Sequence, residues 1–189
     1  MKNIAIFVSG NGTNCENIIK HFAGSSEISV ALVVANRPDC YALTRAARNN
    51  VPTVVIPKSE FNNEATLMDT LRRYNIDFIV LAGFLLMIPD FLVKAYDHRM
   101  MNIHPALLPK FGGKGMYGRH VHEAVKAAGE KESGITIHWV SNVCDGGEII
   151  AQYSTPLNES DSADDIAAKV HELEMRYYPE TIEKTIVSI

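Results

Sequence analysis

The amino-acid sequence predicts an α/β fold: a mostly parallel sheet with helices on both faces, finished by a C-terminal antiparallel hairpin. Three observations predict it. Short apolar runs rich in Ile and Val alternate with stretches of helical periodicity through the N-terminal half, the pattern of strand–helix–strand units. Those runs are continuously apolar, as parallel strands covered on both faces are. The last third instead holds two strand-like runs joined by a short loop with Asp145-Gly146, a hairpin turn signal.

Taken in order, Asn3 to Val8 (NIAIFV) is the first strand, followed by a turn with two glycines, Gly10 and Gly12. Thr13-Asn14-Cys15-Glu16 has the spacing of a capping box and opens a helix to about Phe22. Val30 to Ala35 (VALVVA) is the second strand, Asp39 to Arg48 the second helix, and Thr53 to Ile56 the third strand. Asn63 to Tyr74 is a third helix, because Leu67, Leu71 and Tyr74 fall on one stripe. Phe78 to Ala82 and Met100 to Ile103 are strands four and five. Gly134 to Val140 (GITIHWV) and Glu148 to Ser154 (EIIAQYS) form the hairpin. A helix from about Ser162 through Glu174 and beyond closes the chain, with Asp164 and Asp165 set against its N-terminal dipole. At 189 residues, the chain is expected to form one Rossmann-like domain over 1–189.

Composition removes several function classes. Hydrophobic residues make up 47% and charged residues 21%, enough for a core and too little uncompensated charge for disorder. Eighteen Lys and Arg against 22 Asp and Glu leave a net charge of −4, which supplies no general field for nucleic acid. Apolar runs such as Phe78 to Ala82 are far too short to cross a bilayer, and the N-terminus carries no signal-peptide pattern. Cys15, Cys40 and Cys144 are odd in number with no CxxC pair, which reads as reduced thiols of a cytoplasmic protein. Small molecules are the expected partners, with no nucleic acid and no membrane.

In such sheets ligands sit outside the carboxyl ends of the strands. After strand one, Ser9-Gly10-Asn11-Gly12-Thr13-Asn14 leads into a helix start and aims backbone N–H groups at an anion. The dinucleotide fingerprint is half met: a third glycine is missing, and Asn36 stands where an acid would hold a ribose. A phosphomonoester therefore fits better than NAD. The bland alternative is a tight turn whose glycines serve only positive φ. After strand four, Leu85, Leu86, Met87 and Ile88 either pack beneath the next helix or line an apolar slot. On strand five, alternation puts Asn102 and His104 on one face, an amide donor beside an imidazole, as an oxyanion intermediate needs. Asp145 is either a plain turn residue or a carboxylate within reach of His104, where its charge is expected to raise the imidazole pKa. No GxSxG elbow and no activated cysteine is present, so covalent catalysis has no candidate. Noncovalent group transfer with histidine as acid/base does.

Together SGNGTN from Ser9, LAGF with its apolar loop, NIHPALLPKF and DGG resemble, in order and spacing, the folate-dependent formyltransferase family. The resemblance covers essentially the whole chain, and SGNGTN points to the branch acting on a ribonucleotide. It implies formyl transfer from 10-formyltetrahydrofolate to the amine of glycinamide ribonucleotide, in purine biosynthesis. It implies Asn102, His104 and Asp145 as the catalytic set. Gly12, Thr13 and Asn14 would hold the substrate phosphate and Glu174 the glycinamide end. Leu85, Leu86, Met87 and Ile88, with Asn102, Ser141, Asn142, Val143, Cys144 and Asp145, would enclose the pterin. The formyl-folate is a cosubstrate, and no metal is expected.

Protonated His104 and Asn102 would stabilise the oxyanion, Asp145 keeping His104 cationic while it delivers a proton to N10 of the folate. Leu86 and Asn63 stand where family members carry arginines for the folate's acidic tail. The glycine-rich stretch 111–119, with Lys110, Lys114 and Arg119, is either a mobile lid that supplies the missing charge or a solvated loop. His120-x-His122 offers two ligands where catalytic zinc takes three from protein. Formyl transfer to initiator tRNA, or hydrolysis of the formyl-folate, would come with an added domain; the chain is expected to lack one. A nucleotide-sensing binding module is the non-enzymatic alternative. The chain is expected to be a monomer or a homodimer.

Overall fold

The computed structural model describes residues 1–189. Thirteen elements run in the order β1 (Lys2–Val8), α1 (Thr13–His21), β2 (Ile28–Ala35), α2 (Tyr41–Arg48), β3 (Thr53–Val55), α3 (Glu64–Arg73), β4 (Phe78–Leu81), α4 (Asp90–Ala95), β5 (Met100–His104), α5 (Arg119–Ala127), β6 (Glu132–Trp139), β7 (Ile149–Pro156) and α6 (Ala163–Val187). The strands order as β3-β2-β1-β4-β5-β6-β7 in a seven-stranded sheet. The predicted α/β class is the observed one. The chain packs as two compact units, Met1–Met101 with Glu183–Ile189, and Asn102–Ile182.

The first unit owes its strands to continuous burial. Ile4, Ala5, Ile6, Phe7 and Val8 are all fully enclosed, so both faces of β1 are covered, as parallel strands require. β1 pairs in parallel with β2 (Ile6 opposite Val33) and with β4 (Ile6 opposite Val80). β2 pairs in parallel with β3. Asn63 caps α3, its side-chain oxygen accepting from Thr66 N–H at 3.1 Å.

The capping box predicted for α1 is absent. Thr13 lies inside the helix, the N-cap is Gly12 at φ 79°, and no side chain caps it. Glu16 turns away from the helix end and pairs with Arg45 of α2 and with Lys20.

In the second unit β6 and β7 are antiparallel, with Ile135 opposite Tyr153, the predicted hairpin. Their register slips after Ile137–Ala151, so that His138 faces Ile149 and Ile150 is left over. Such a bulge re-aims the neighbouring side chain. The helices α4 and α5 were not among the predicted elements. α4 is only six residues long, too short to show a period. α5 follows directly on the glycine-rich stretch, starts at the N-cap Gly118 and buries Val121, His122 and Val125.

Candidate active site

β5 brings Asn102 and His104 to one face, and the β6–β7 loop brings Asp145 against them. His104 is 3% exposed. Its Nδ1 lies 3.5 Å from Asp145 Oδ2, and its Nε2 lies 2.7 Å from the Phe111 carbonyl oxygen. A carbonyl only accepts, so Nε2 carries hydrogen and Nδ1 is the basic nitrogen facing the carboxylate. Asp145 holds φ 53°, a left-handed conformation that Asp and Asn tolerate better than most residues. Its Oδ2 also accepts from Gly113 N–H at 2.9 Å. The three residues predicted as the catalytic set are therefore neighbours.

Sequence reasoning missed a fourth. His138 of β6 is 2% exposed. Its Nδ1 donates to the Trp139 carbonyl at 2.9 Å. Its Nε2 lies 3.2 Å from Asn102 Nδ2 and 3.7 Å from Asp145 Oδ1. Asp145 thus stands between two imidazoles. The available signal was one polar residue near the end of the apolar run GITIHWV.

The charge state of His104 is not the predicted one. Burial is the largest influence and pulls its pKa below the ordinary 6.5; Asp145 and the Phe111 carbonyl pull it back up, and His138 lowers it. The expectation that Asp145 would raise the pKa above its usual value is corrected, because desolvation of the cation outweighs the single charge 3.5 Å away. Burial pushes Asp145 up, but the His138 ring facing it, the hydrogen bond from Gly113 N–H and the His104 ring outweigh that and hold the carboxyl below 3.8. The pair rests as a carboxylate beside a neutral imidazole.

Glu174 sits on α6, with Oε2 3.1 Å from His171 Nδ1. Its charge raises the pKa of His122, though burial dominates there and the net direction is down; His104 lowers it further. His122 is 7% exposed and its Nδ1 has no hydrogen-bond partner. Glu174, His122 and His104 are therefore electrostatic neighbours across α6, α5 and β5. His120 is exposed and pairs with Glu123 at 3.6 Å. Residues two apart on a helix do not face each other, so His120 and His122 do not share a metal.

Around Asp145 the loop 141–146 closes on itself. Ser141 Oγ accepts from Val143 N–H at 3.2 Å, and the Val143 carbonyl accepts from Gly146 N–H at 3.0 Å. Asn142, Val143 and Cys144 are exposed, Val143 by 66%. The Cys144 thiol leans on Asp145 Oδ2 at 3.8 Å, and burial followed by that carboxylate pushes its pKa up, which makes it a poor nucleophile. The cations suggested for a lid are mostly committed. Lys110 bonds Glu130 at 2.9 Å, and Arg119 bonds Glu123 at 2.8 Å and Asp164 at 3.1 Å. Lys114 is exposed and forms no ion pair.

In the first unit, the glycine turn is braced from behind. A Cβ on Gly12 would lie 2.4 Å from Ala42 Cβ, so only glycine allows α2 this close. Arg45 of α2 donates from Nε to the Asn11 carbonyl at 2.9 Å and from Nη2 to Asn11 Oδ1 at 3.1 Å. Thr13 and Asn14 follow as the first residues of α1, both half-buried. Ser9 joins this turn to the loop after β4: its Oγ accepts from Leu85 N–H at 2.9 Å, and its N–H donates to Gly83 O at 3.1 Å. Phe84 packs edge-on against Phe7. Leu86 and Ile88 are half-buried, but Leu85 and Met87 are 60% and 61% exposed. Core packing therefore does not account for these two apolar side chains.

Comparison with known proteins identifies the family. A family model described as formyl transferase matches residues 2–182. A chloroplastic phosphoribosylglycinamide formyltransferase of Vigna unguiculata is 41% identical over 189 residues, covering 96% of this chain. The chain spans 60% of that relative's length. The phosphoribosylglycinamide formyltransferase of Bacillus subtilis is 34% identical, over 98% of this chain and 95% of its own. The crystal structure of phosphoribosylglycinamide formyltransferase from Streptococcus pneumoniae superposes with a TM-score of 0.86 at 37% identity, over 97% of this chain and 98% of that one. With the family model spanning nearly every residue from β1 into α6, the chain belongs to the formyl transferase family.

Proposed function

We propose that the protein transfers the formyl group of 10-formyltetrahydrofolate to the amine of glycinamide ribonucleotide. The observation that carries this is the convergence of an amide, an imidazole and a carboxylate, Asn102, His104 and Asp145, with His104 Nδ1 3.5 Å from Asp145 Oδ2. The neutral amine attacks the formyl carbon, a C–N bond forms, and the carbonyl electrons move onto oxygen. An Asn102 N–H stabilises that oxyanion. The amine's proton passes to His104 Nδ1, directly or through water, and Asp145 holds the imidazolium so formed. His104 Nε2–H, released from the Phe111 carbonyl, then protonates N10 as the bond to the formyl carbon breaks. Tetrahydrofolate and the formamide leave, with no charge left on His104.

A resting neutral His104 suits this sequence, since the ring must first accept a proton. Gly12, Thr13 and Asn14 would present N–H groups to the ribonucleotide phosphate, and Glu174 would face its amine end. Leu85, Leu86, Met87 and Ile88 and residues 141–145 would enclose the pterin. No step requires a metal. Three free cysteines suit a reducing compartment such as the cytoplasm, and no helix is long and apolar enough to cross a membrane.

The test is spectrophotometric release of tetrahydrofolate from 10-formyltetrahydrofolate, with and without glycinamide ribonucleotide. Release that depends on the ribonucleotide supports the proposal. Release without it indicates hydrolysis, and none in either case indicates a binding module.

A further inference from the structure

The transfer step depends on Asn102 offering an N–H, yet an amide can turn over at almost no cost in shape, exchanging Oδ1 for Nδ2. Something must choose the orientation. We infer that His138 is a positioning residue that makes this choice, its bare Nε2 accepting one Asn102 N–H and leaving the other for the formyl oxygen. The inference rests on the proposed role of Asn102.

The geometry supplies each link. The Trp139 carbonyl lies 2.9 Å from His138 Nδ1, and because a carbonyl only accepts, Nδ1 carries the ring hydrogen. In the neutral ring Nε2 is then a lone pair, and the group 3.2 Å away must be the NH2 end of Asn102. Asp145 Oδ1, at 3.7 Å from Nε2, is beyond hydrogen-bond reach and cannot supply the ring's partner in the resting arrangement.

Two backbone features hold the ring there. The slip after Ile137–Ala151 sets the direction of the His138 side chain. A Cβ on Gly147 would lie 1.7 Å from the Trp139 carbonyl oxygen, so glycine at this position lets that carbonyl stay where His138 Nδ1 needs it. His138 is enclosed, so water does not compete for Nε2. The second glycine of the DGG motif therefore acts on the site through Trp139, His138 and Asn102 in turn.

Two measurements test this. In the wild-type protein labelled with 15N histidine, long-range correlation spectra near neutral pH should show His138 with its proton on Nδ1 and Nε2 bare. A proton on Nε2 would overturn the inference, and this reading needs no variant to fold. In kinetics, His138→Met removes the acceptor and keeps the bulk, whereas His138→Gln returns an oxygen near the place of Nε2. The Met variant should lose about 10²-fold in kcat, the usual worth of one oxyanion donor, with both KM values within about twofold. The Gln variant should recover most of that loss.

Adding Asn102→Ala to His138→Met should cost far less than Asn102→Ala costs alone, because the two residues act as one unit. A purely structural role predicts additive losses and equal damage from Met and Gln. If Asn102→Ala alone leaves kcat intact, the oxyanion role of Asn102 fails and this inference falls with it. If Asn102→Ala is costly and His138→Met is not, only the inference about His138 fails.

Discussion

Asp145→Asn isolates the charge on which the proposed mechanism depends. The left-handed φ of 53° suits asparagine as well as aspartate, and the remaining amide oxygen can still accept from Gly113 N–H, now 2.9 Å from Oδ2. The loop keeps its shape and loses its charge. Both side chains are enclosed, Asp145 11% and His104 4% exposed, so solvent screens the pair little. At the 3.5 Å separation, an effective dielectric of about 20 gives roughly 5 kcal/mol between carboxylate and imidazolium.

The amide dipole recovers part of that, so kcat should fall by about 10³-fold, inside the roughly 10²–10⁴ range of positioned acid–base catalysis. The pH response has a definite sign. The cycle begins with neutral His104, so activity is lost as pH falls through its folded pKa, already below 6.5. Asp145 raises that pKa, and removing it moves the acid limb of kcat/KM to still lower pH. Initial rates of tetrahydrofolate release across the pH range read both effects, with KM for each substrate little changed. Near-full kcat with an unmoved acid limb would reduce Asp145 to a hairpin turn residue and remove the proton-transfer scheme.

Gly12→Ala forces a side chain into φ 79° and against Ala42, and should raise KM for the ribonucleotide by roughly tenfold, about 1.4 kcal/mol, while sparing the folate KM. Equal changes in both would count against an anion role for the turn. Replacing Lys110 and Arg119 by Ala should leave the folate KM unchanged at any salt, because both are held by carboxylates. Lys114→Ala should raise it, and more at low salt; no effect would take the loop out of folate binding.

Stability should also follow the buried rings. His104 and His122 have folded pKa values below 6.5, so the stability their burial allows is complete above an unfolded pKa of about 6.5 and is lost as pH falls through the folded values. His171, raised by its hydrogen bond to Glu174, opposes this: its contribution is present below about 6.5 and is lost as pH rises through its raised value. Urea midpoints should drop on acidification, and His122→Gln should flatten that drop. A midpoint that climbs towards pH 5 would contradict it.

What the sequence determined by itself is whatever depends on neighbours along the chain. Runs such as IAIFV and FIVL are short, apolar throughout and set between turn signals, which suits strands enclosed on both faces, and their alternation with helical stretches points to a parallel sheet. Period-two geometry alone puts Asn102 and His104 on one face of β5. Helix α5 was hidden by the glycines that precede it, and α4 by its length.

Everything that depends on a distant partner was decided only by folding. Thr13 and Glu16 read as a capping box, but Arg45, brought in by α2, takes Glu16, and a charged partner outweighs a local cap. The motif DGG could not show that Gly147 makes room for the Trp139 carbonyl, nor that His138 would lie between that carbonyl and Asn102. Charge rules predicted a raised His104 pKa. A pKa, however, sums every neighbour with the loss of water, and that loss exists only once the tertiary structure has closed around the ring.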